Sequence, residues 1–381
     1  MKETEGNREL RKVTASNGRF LPFSSTVCFS PFLSVSVWFR SLLSSTFRFF
    51  PLPSVTFRYF PLLSVAFCFS LFLSVPSAWA ISAGAGTGGA AFLDISQGSA
   101  RAMALGQSFV ALASGVDAIT WNPAGLAMTD EREFSYSYLK YIQGVQAPVY
   151  MAYAQPVGQT VFGFSGSYMS DNNFDVRDQN GVPLSNFNVQ VNNGYGAVSV
   201  ARSFWYERIF LGGTLRLVHQ DYNGDISDSL VGDAGIIVKP NDWLSLGASY
   251  QNFGASQYVV GSTMRAGFAI IPNDFFKLSF EVHQFAGDIP RPGVGAEFTV
   301  PEEYLEVGQL AFRAGYFEAD NYTAITTPSS PAINLNAVSG ISLGLGFYTS
   351  AAFGYGLGVD YAFVPMGALG TVNQFTLTTK F

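Results

Sequence analysis

From Glu133 to its last residue, Phe381, the chain alternates apolar with polar or small residues in segments of about ten. Alternation at period two is strand geometry, and about ten residues is the length of a strand that crosses a bilayer at a tilt. After residue 80 no run of about 18 apolar residues survives without a glycine, a charge or a polar interruption, so a membrane-spanning helix is not available there. Charged residues nevertheless make up only 13% of the chain, about half the share of a soluble globular protein. Something other than water must cover part of this surface. The other architecture that satisfies its own backbone in lipid is a closed barrel.

Candidate strands begin near 133, 146, 159, 193, 207, 229, 243, 261, 274, 290, 310, 338, 352 and 373, which makes fourteen, an even number. The connections sort by parity. Gln155 to Gln159, Ser203 to Glu207, Pro240-Asn241-Asp242 and Pro272-Asn273-Asp274 are short, whereas Asp171 to Asn192, Asp221 to Ser229 and Asp320 to Asn336 are long. A barrel with tight inner turns and longer outer loops has this pattern. Faces separate as well: Phe276, Leu278, Phe280 and Val282 alternate with Lys277, Ser279, Glu281 and His283. One face suits lipid. The other would carry Arg216, Asp233, Arg265, Lys277, Glu281, Glu297, Arg313 and Asp360, mixed in sign and able to pair across a narrow lumen. The expected fold class is therefore all-β, an antiparallel transmembrane barrel of about 14 strands over residues 131–381.

Ahead of the strands, residues 81–130 are rich in small residues and weakly helical, as a small plug or hatch ahead of a closed sheet would be. Within them Asn122 can cap a following turn, Pro123 suits a first helical position, and Gly125 permits close backbone approach, in the run Asn122-Pro123-Ala124-Gly125-Leu126. Taken alone, the same run reads as an ordinary helix cap.

Residues 1–80 are different in kind. Ser34-Val35, Ser44-Ser45, Ser54-Val55, Ser64-Val65 and Ser74-Val75 recur at period ten, too short for a solenoid, and a translated tandem repeat upstream of the true start is the expected explanation. The apolar stretch Leu62 to Val75 behind Arg58, followed by Ala78-Trp79-Ala80, has the form of a signal peptide, with cleavage expected after Ala80. This leader holds both cysteines, and eight basic against three acidic residues. The remainder carries 13 basic and 24 acidic residues, a balance that argues against nucleic acid as a partner.

No enzyme site stands out. His219 and His283 fall on different expected strands without a metal-ligating partner. Asp221-Tyr222-Asn223-Gly224-Asp225-Ile226-Ser227-Asp228 resembles half a calcium loop, but Gly232 stands where the bidentate glutamate belongs. Neither metal nor cofactor is expected.

Thr87-Gly88-Gly89-Ala90-Ala91-Phe92-Leu93, Gly98-Ser99-Ala100-Arg101-Ala102-Met103-Ala104-Leu105-Gly106, Phe109-Val110-Ala111-Leu112-Ala113 and Trp121-Asn122-Pro123-Ala124-Gly125-Leu126 resemble the N-terminal region of the PorV/PorQ family. Leu343-Gly344-Leu345-Gly346-Phe347, Val359-Asp360-Tyr361-Ala362-Phe363-Val364-Pro365, Leu369-Gly370 and the final Phe381 resemble its ending. The resemblance implies a bacterial outer-membrane barrel related to the FadL long-chain fatty-acid transporters, with the Asn-Pro-Ala motif in a hatch inside the barrel and Phe381 as part of the assembly signal. Two roles follow from it. One is cargo handling for type IX secretion, with secreted proteins as partners. The other is a FadL-like channel for hydrophobic small molecules such as fatty acids. Outer-membrane lipid surrounds the protein in either case.

Overall fold

The computed structural model describes residues 89–381 apart from 91, 96, 141–147, 173–177, 179, 181, 183–188, 319–339, 353 and 367–369. The leader and its expected cleavage site lie outside the described residues. So do most of the two long connections after Asp171 and Glu318.

Fourteen strands follow one another: β1 (Glu133–Lys140), β2 (Val149–Val157), β3 (Thr160–Asp171), β4 (Val191–Phe204), β5 (Ile209–Tyr222), β6 (Asp225–Asn241), β7 (Leu244–Phe253), β8 (Thr263–Ile270), β9 (Phe276–Phe285), β10 (Arg291–Val300), β11 (Gln309–Phe317), β12 (Ile341–Ala352), β13 (Tyr355–Pro365) and β14 (Thr371–Lys380). Each pairs antiparallel with its sequence neighbours, and β1 pairs with β14 from Glu133↔Lys380 to Lys140↔Asn373, so the sheet closes on itself. Closure leaves no edge strand to satisfy in lipid. Among the described residues no helix is long and apolar enough to cross a membrane; strands do the crossing.

The largest departure from the expected starts is at β6, which begins at Asp225 rather than 229. The connection from Asp221 to Ser229, expected to be long, is instead a tight hairpin. Asn223 and Gly224 both take positive φ, 58° and 94°, as a two-residue turn between twisted strands requires. Asn-Gly was the readable signal. Asp221 uses a carboxylate oxygen to accept from the Gly224 N–H at 2.8 Å, so the acidic run stabilises a turn.

The β1–β14 seam shows how alternation becomes two surfaces. Phe134, Tyr138, Phe375 and Leu377 are exposed on the outer wall, whereas Ser135, Ser137, Gln374 and Thr376 are buried on the lumenal side. Gln374 Nε2 donates to the Ser137 hydroxyl at 2.9 Å. Trp205, Tyr206 and Trp243 stand exposed in the turns after β4 and β6, in keeping with an aromatic girdle at one membrane interface. That end of the barrel, which also carries Glu133 and Lys380, is called the inner end below; tight turns mark the periplasmic side of such barrels.

Candidate functional site

Residues 92–128 form a plug of short helical pieces: Phe92–Ile95, Ala100–Ala104, the 3-10 turn Gly115–Asp117, Ala118–Trp121 and the 3-10 helix Pro123–Met128. The plug meets the wall on all sides. Pro123–Met128 packs on β3 to β6, Ala100–Ala104 on β11 to β14, and Gly115–Asp117 on β1 and β2. Its own centre is apolar, built from Trp121, Phe109, Leu105, Ile119 and Leu126, with Phe109 edge-on to Trp121.

Asn122 makes more than a cap. Its Oδ1 accepts from the Ala124 N–H at 3.2 Å, while Nδ2 donates to the carbonyls of Val110 at 2.9 Å and Ile236 at 3.2 Å. One side chain therefore joins two plug segments to β6. Pro123 occupies the first helical position, and Ala124, Gly125 and Leu126 are buried. Close approach is general here. A Cβ on Gly235 would overlap Asn122, one on Gly212 would overlap Pro123, one on Gly247 Val110, one on Gly315 Leu105 and Gly106, and one on Gly344 Ala104. These wall glycines do not take positive φ, so what they supply is space. The abundance of glycine in the sequence fits a close approach of plug and wall, and the structure shows which wall glycines provide it.

The eight charges assigned to the lumen all lie on lumenal positions and all pair. Arg216 binds Asp233 at 2.8 Å, and also donates to Asn252 Oδ1 at 2.8 Å. Arg265 binds Glu281 at 2.9 Å. Glu297 takes Lys277 at 2.9 Å and Arg313 at 2.7 Å, and Arg313 reaches on to Asp360. Sequence reading missed the plug's contribution: Arg101 clasps Glu297 through Nε at 2.8 Å and Nη2 at 3.0 Å. Glu281 likewise turns to the plug, its Oε2 accepting from the N–H groups of Phe109 at 2.8 Å and Val110 at 2.7 Å. Arg265 lies over the Trp121 ring, 4.5 Å from its centroid. Neutral side chains complete the attachment. Ser245, Ser249 and Gln251 donate to the carbonyls of Ala111, Trp121 and Thr120.

At the inner end a cavity of about 420 Å³ opens between plug and wall, lined by Arg101, Asp117, Glu133, Lys277, Arg313 and Asp360 among others. Burial, with repulsion from Asp360 and Glu133, pushes the Asp117 carboxyl up to about 7, against a hydrogen bond from Ser99 and the attraction of Arg101. Burial opposes the Arg101 charge, but Glu297 more than compensates, and the guanidinium is held protonated. The outer end differs in character. Leu139, Met169, Val218, Phe317, Val364 and Val372, near the outer ends of six strands, belong to one buried apolar cluster with Phe92 and Leu93 of the plug. Gly89 ties the plug to the β7–β8 connection, donating to the Gln257 carbonyl and accepting from the Gly261 N–H, both at 2.9 Å.

The remaining sequence candidates lie apart. His219 pairs with Asp228 at 2.7 Å on the exposed outer hairpin, whereas His283 is buried in the wall. Among the described residues no group of three metal-ligating side chains converges. Phe381 stacks on Tyr153 beside the seam, and its N–H donates to the Arg132 carbonyl.

No protein-family model matches the chain, and no curated protein matches it. Solved structures do. The toluene transporter TodX of Pseudomonas putida has 13% identity and a TM-score of 0.51, over 74% of this chain and 97% of that one. The toluene transporter TbuX of Ralstonia pickettii has 13% identity and a TM-score of 0.51, over 75% of this chain and 98% of its own. At such identity the likeness is one of fold, and it agrees with the closed antiparallel barrel described above.

Proposed function

We propose that this protein is an outer-membrane channel that admits apolar small molecules, monoaromatic hydrocarbons or fatty-acid chains, through its outer end. The observation that carries the reading is the contrast within the lumen. A plug fixed by buried ion pairs stands within the barrel, while Leu139, Met169, Val218, Phe317, Val364 and Val372, near the outer ends of six strands, are buried apolar side chains, as are Phe92 and Leu93 of the plug. A water-filled porin would show the reverse, an open polar lumen. The fold shared with two toluene transporters supports the same class of cargo. On this reading the Asn122 to Leu126 motif and the lumenal charges hold the plug in place, and Phe381 serves assembly.

The type IX secretion role rests on the resemblance of the end blocks to PorV/PorQ. Most of the loops that would grip a secreted protein, 173–188 and 319–339, lie outside the described residues. One experiment separates the two. Proteoliposomes carrying the heat-modifiable, folded barrel should take up labelled toluene and a labelled long-chain fatty acid faster than empty vesicles, whereas small ions and sugars should stay out. Folded protein that takes up neither, and that leaves outer membranes with a secreted protein attached, would reverse the assignment.

A further inference from the structure

The outer end of the barrel does not stop level. β6 pairs with β5 from Tyr222↔Asp225 to Ile209↔Val238 without a shift, but its pairing with β7 begins only at Gly232↔Phe253. Beyond Phe253 the chain turns inward over the lumen. Gly254 takes a φ of 112°, Val260 is fully buried, and the Val259 carbonyl accepts from Gln220. Among the described residues, Asp225 to Val231 are therefore a strand paired on one side only.

Register decides which backbone groups this edge presents. The Lys239 N–H donates to the Arg208 carbonyl before β5 at 2.8 Å, and along an antiparallel pair the residues that bond to a given neighbour alternate. Odd-numbered residues of β6 thus turn their N–H and C=O to β5. Ile226, Asp228 and Leu230 turn theirs the other way, Leu230 beside Gly254 and the first two into the open. A strand crosses the bilayer in about 9–11 residues, which from the inner turn at Trp243 brings β6 to about Val231. Asp228 and its partner His219 are the first charges on the outer face above that level. An open edge does not occur in hydrocarbon, so this one stands in water.

We propose that the edge from Asp225 to Val231 takes up an extended, basic segment of another protein as an added antiparallel strand, Ile226 and Asp228 each exchanging two backbone bonds with it. This docking surface does not depend on the channel reading above. Charge selects the partner. From Val218 to Val231 the sequence holds Asp221, Asp225 and Asp228 but no lysine or arginine, and across a strand pair opposite charges attract while like charges opposed destabilise. Ile226 and Leu230, 60% and 65% exposed, flank Asp228 on the outer face, so the complementary face of the segment reads apolar, basic, apolar. A second copy of this chain does not fit. Barrels in one membrane share an orientation, so a two-fold axis along the membrane normal would set the edge parallel to itself with N–H level with N–H and Asp228 against Asp228. Charges on an edge are a known guard against such self-pairing.

The test is fluorescence anisotropy of a short labelled threonine-rich peptide, one face of which reads valine, lysine, valine, titrated with the full-length barrel in detergent. In an antiparallel pair the residues opposite Ile226 and Asp228 share their face and turn their amides to β6. Methylating the valine and lysine amides should therefore weaken binding about tenfold or more, the worth of two backbone bonds, whereas methylating the threonine amides should leave it unchanged. Ile226→Pro removes an edge N–H without touching the β5 ladder, a place where an edge strand tolerates proline; it should weaken the peptide about fivefold with heat-modifiable mobility unaltered. Asp228→Lys should turn the preference to a peptide with glutamate in place of lysine, and serves if the proline variant does not insert. No binding at millimolar peptide, equal effects of the two methylation patterns, or equal binding of the lysine and glutamate peptides to the parent would overturn the added strand. Neither variant touches the lumen, so such a failure leaves the channel reading standing.

Discussion

Glu281 holds the plug from the wall through two backbone N–H groups, and its replacement by glutamine should loosen the plug without unmaking the barrel. The carboxylate is fully buried and accepts three bonds, from Arg265 and from the N–H groups of Phe109 and Val110. Glutamine keeps the shape but has a single acceptor oxygen and carries no charge. Either Arg265 or the two amides must go without. Arg265 is 2% exposed and would keep only Gln251 and the face of Trp121 as partners. Breaking a buried pair by removing one member costs about 3–5 kcal/mol, which is local because the barrel ladder is untouched. Native-state hydrogen exchange reads it directly: protection of the Phe109 and Val110 amides should fall by about two to three and a half orders of magnitude, while strand amides and heat-modifiable mobility stay as in the parent. Replacing Arg265 by methionine in the same chain removes the stranded cation, so the double variant should recover part of the loss rather than add to it. Unchanged protection in the single variant, or strictly additive losses in the double, would refute the view that this pair locks the plug.

Three further outcomes follow from the same geometry. Asn122→Ala forfeits the cap, worth about 0.5–2 kcal/mol, together with the ties to Val110 and Ile236. It should insert normally yet let small solutes through in a liposome-swelling assay, and unchanged permeability at equal yield would reduce Asn122 to a simple cap. Gly235→Ala would drive a methyl into Asn122, whereas Gly196→Ala meets nothing within 4 Å; protease accessibility of the plug should therefore rise in the first and not in the second. The Asp117 carboxyl, raised by burial to about 7 from 3.8, favours the seated plug while protonated. That contribution is complete below about pH 4 and lost as pH rises through about 7. Plug protection should decline over that interval in the parent and be flatter in Asp117→Asn; identical pH profiles would count against the assignment.

How much of this was legible in the sequence depends on which atoms carried the information. Alternation is a property of each strand by itself, so strand number, order and facing could be read from residues such as Phe276 to His283 without knowing any partner. The charges could be placed inward for the same reason, since lipid excludes them from the other face. Their pairing into Arg216–Asp233, Arg265–Glu281 and the Glu297 cluster needed the third dimension. So did Arg101, which lies in the plug and meets Glu297 196 residues away. The hairpin at Asn223-Gly224 failed for another reason. Its turn signal was present, but the surrounding aspartates suggested a loop.

The way the plug is fixed also bears on which part of it can move during passage of a ligand. Withdrawing the whole plug would break Arg101–Glu297, the Glu281 bonds, the Asn122 ties and the Ser245, Ser249 and Gln251 bonds together. Each leaves a buried group unpaired, at about 1–3 kcal/mol for a neutral group and more for a charged one. Gly89, by contrast, is held to the β7–β8 connection by two backbone bonds, and neither loss strands a charge. Local opening in proteins proceeds from the least protected segments first. On the proposed channel reading, a ligand entering at the outer end would therefore meet the part of the plug that yields most readily, while the charged lock deeper in the barrel would stay in place.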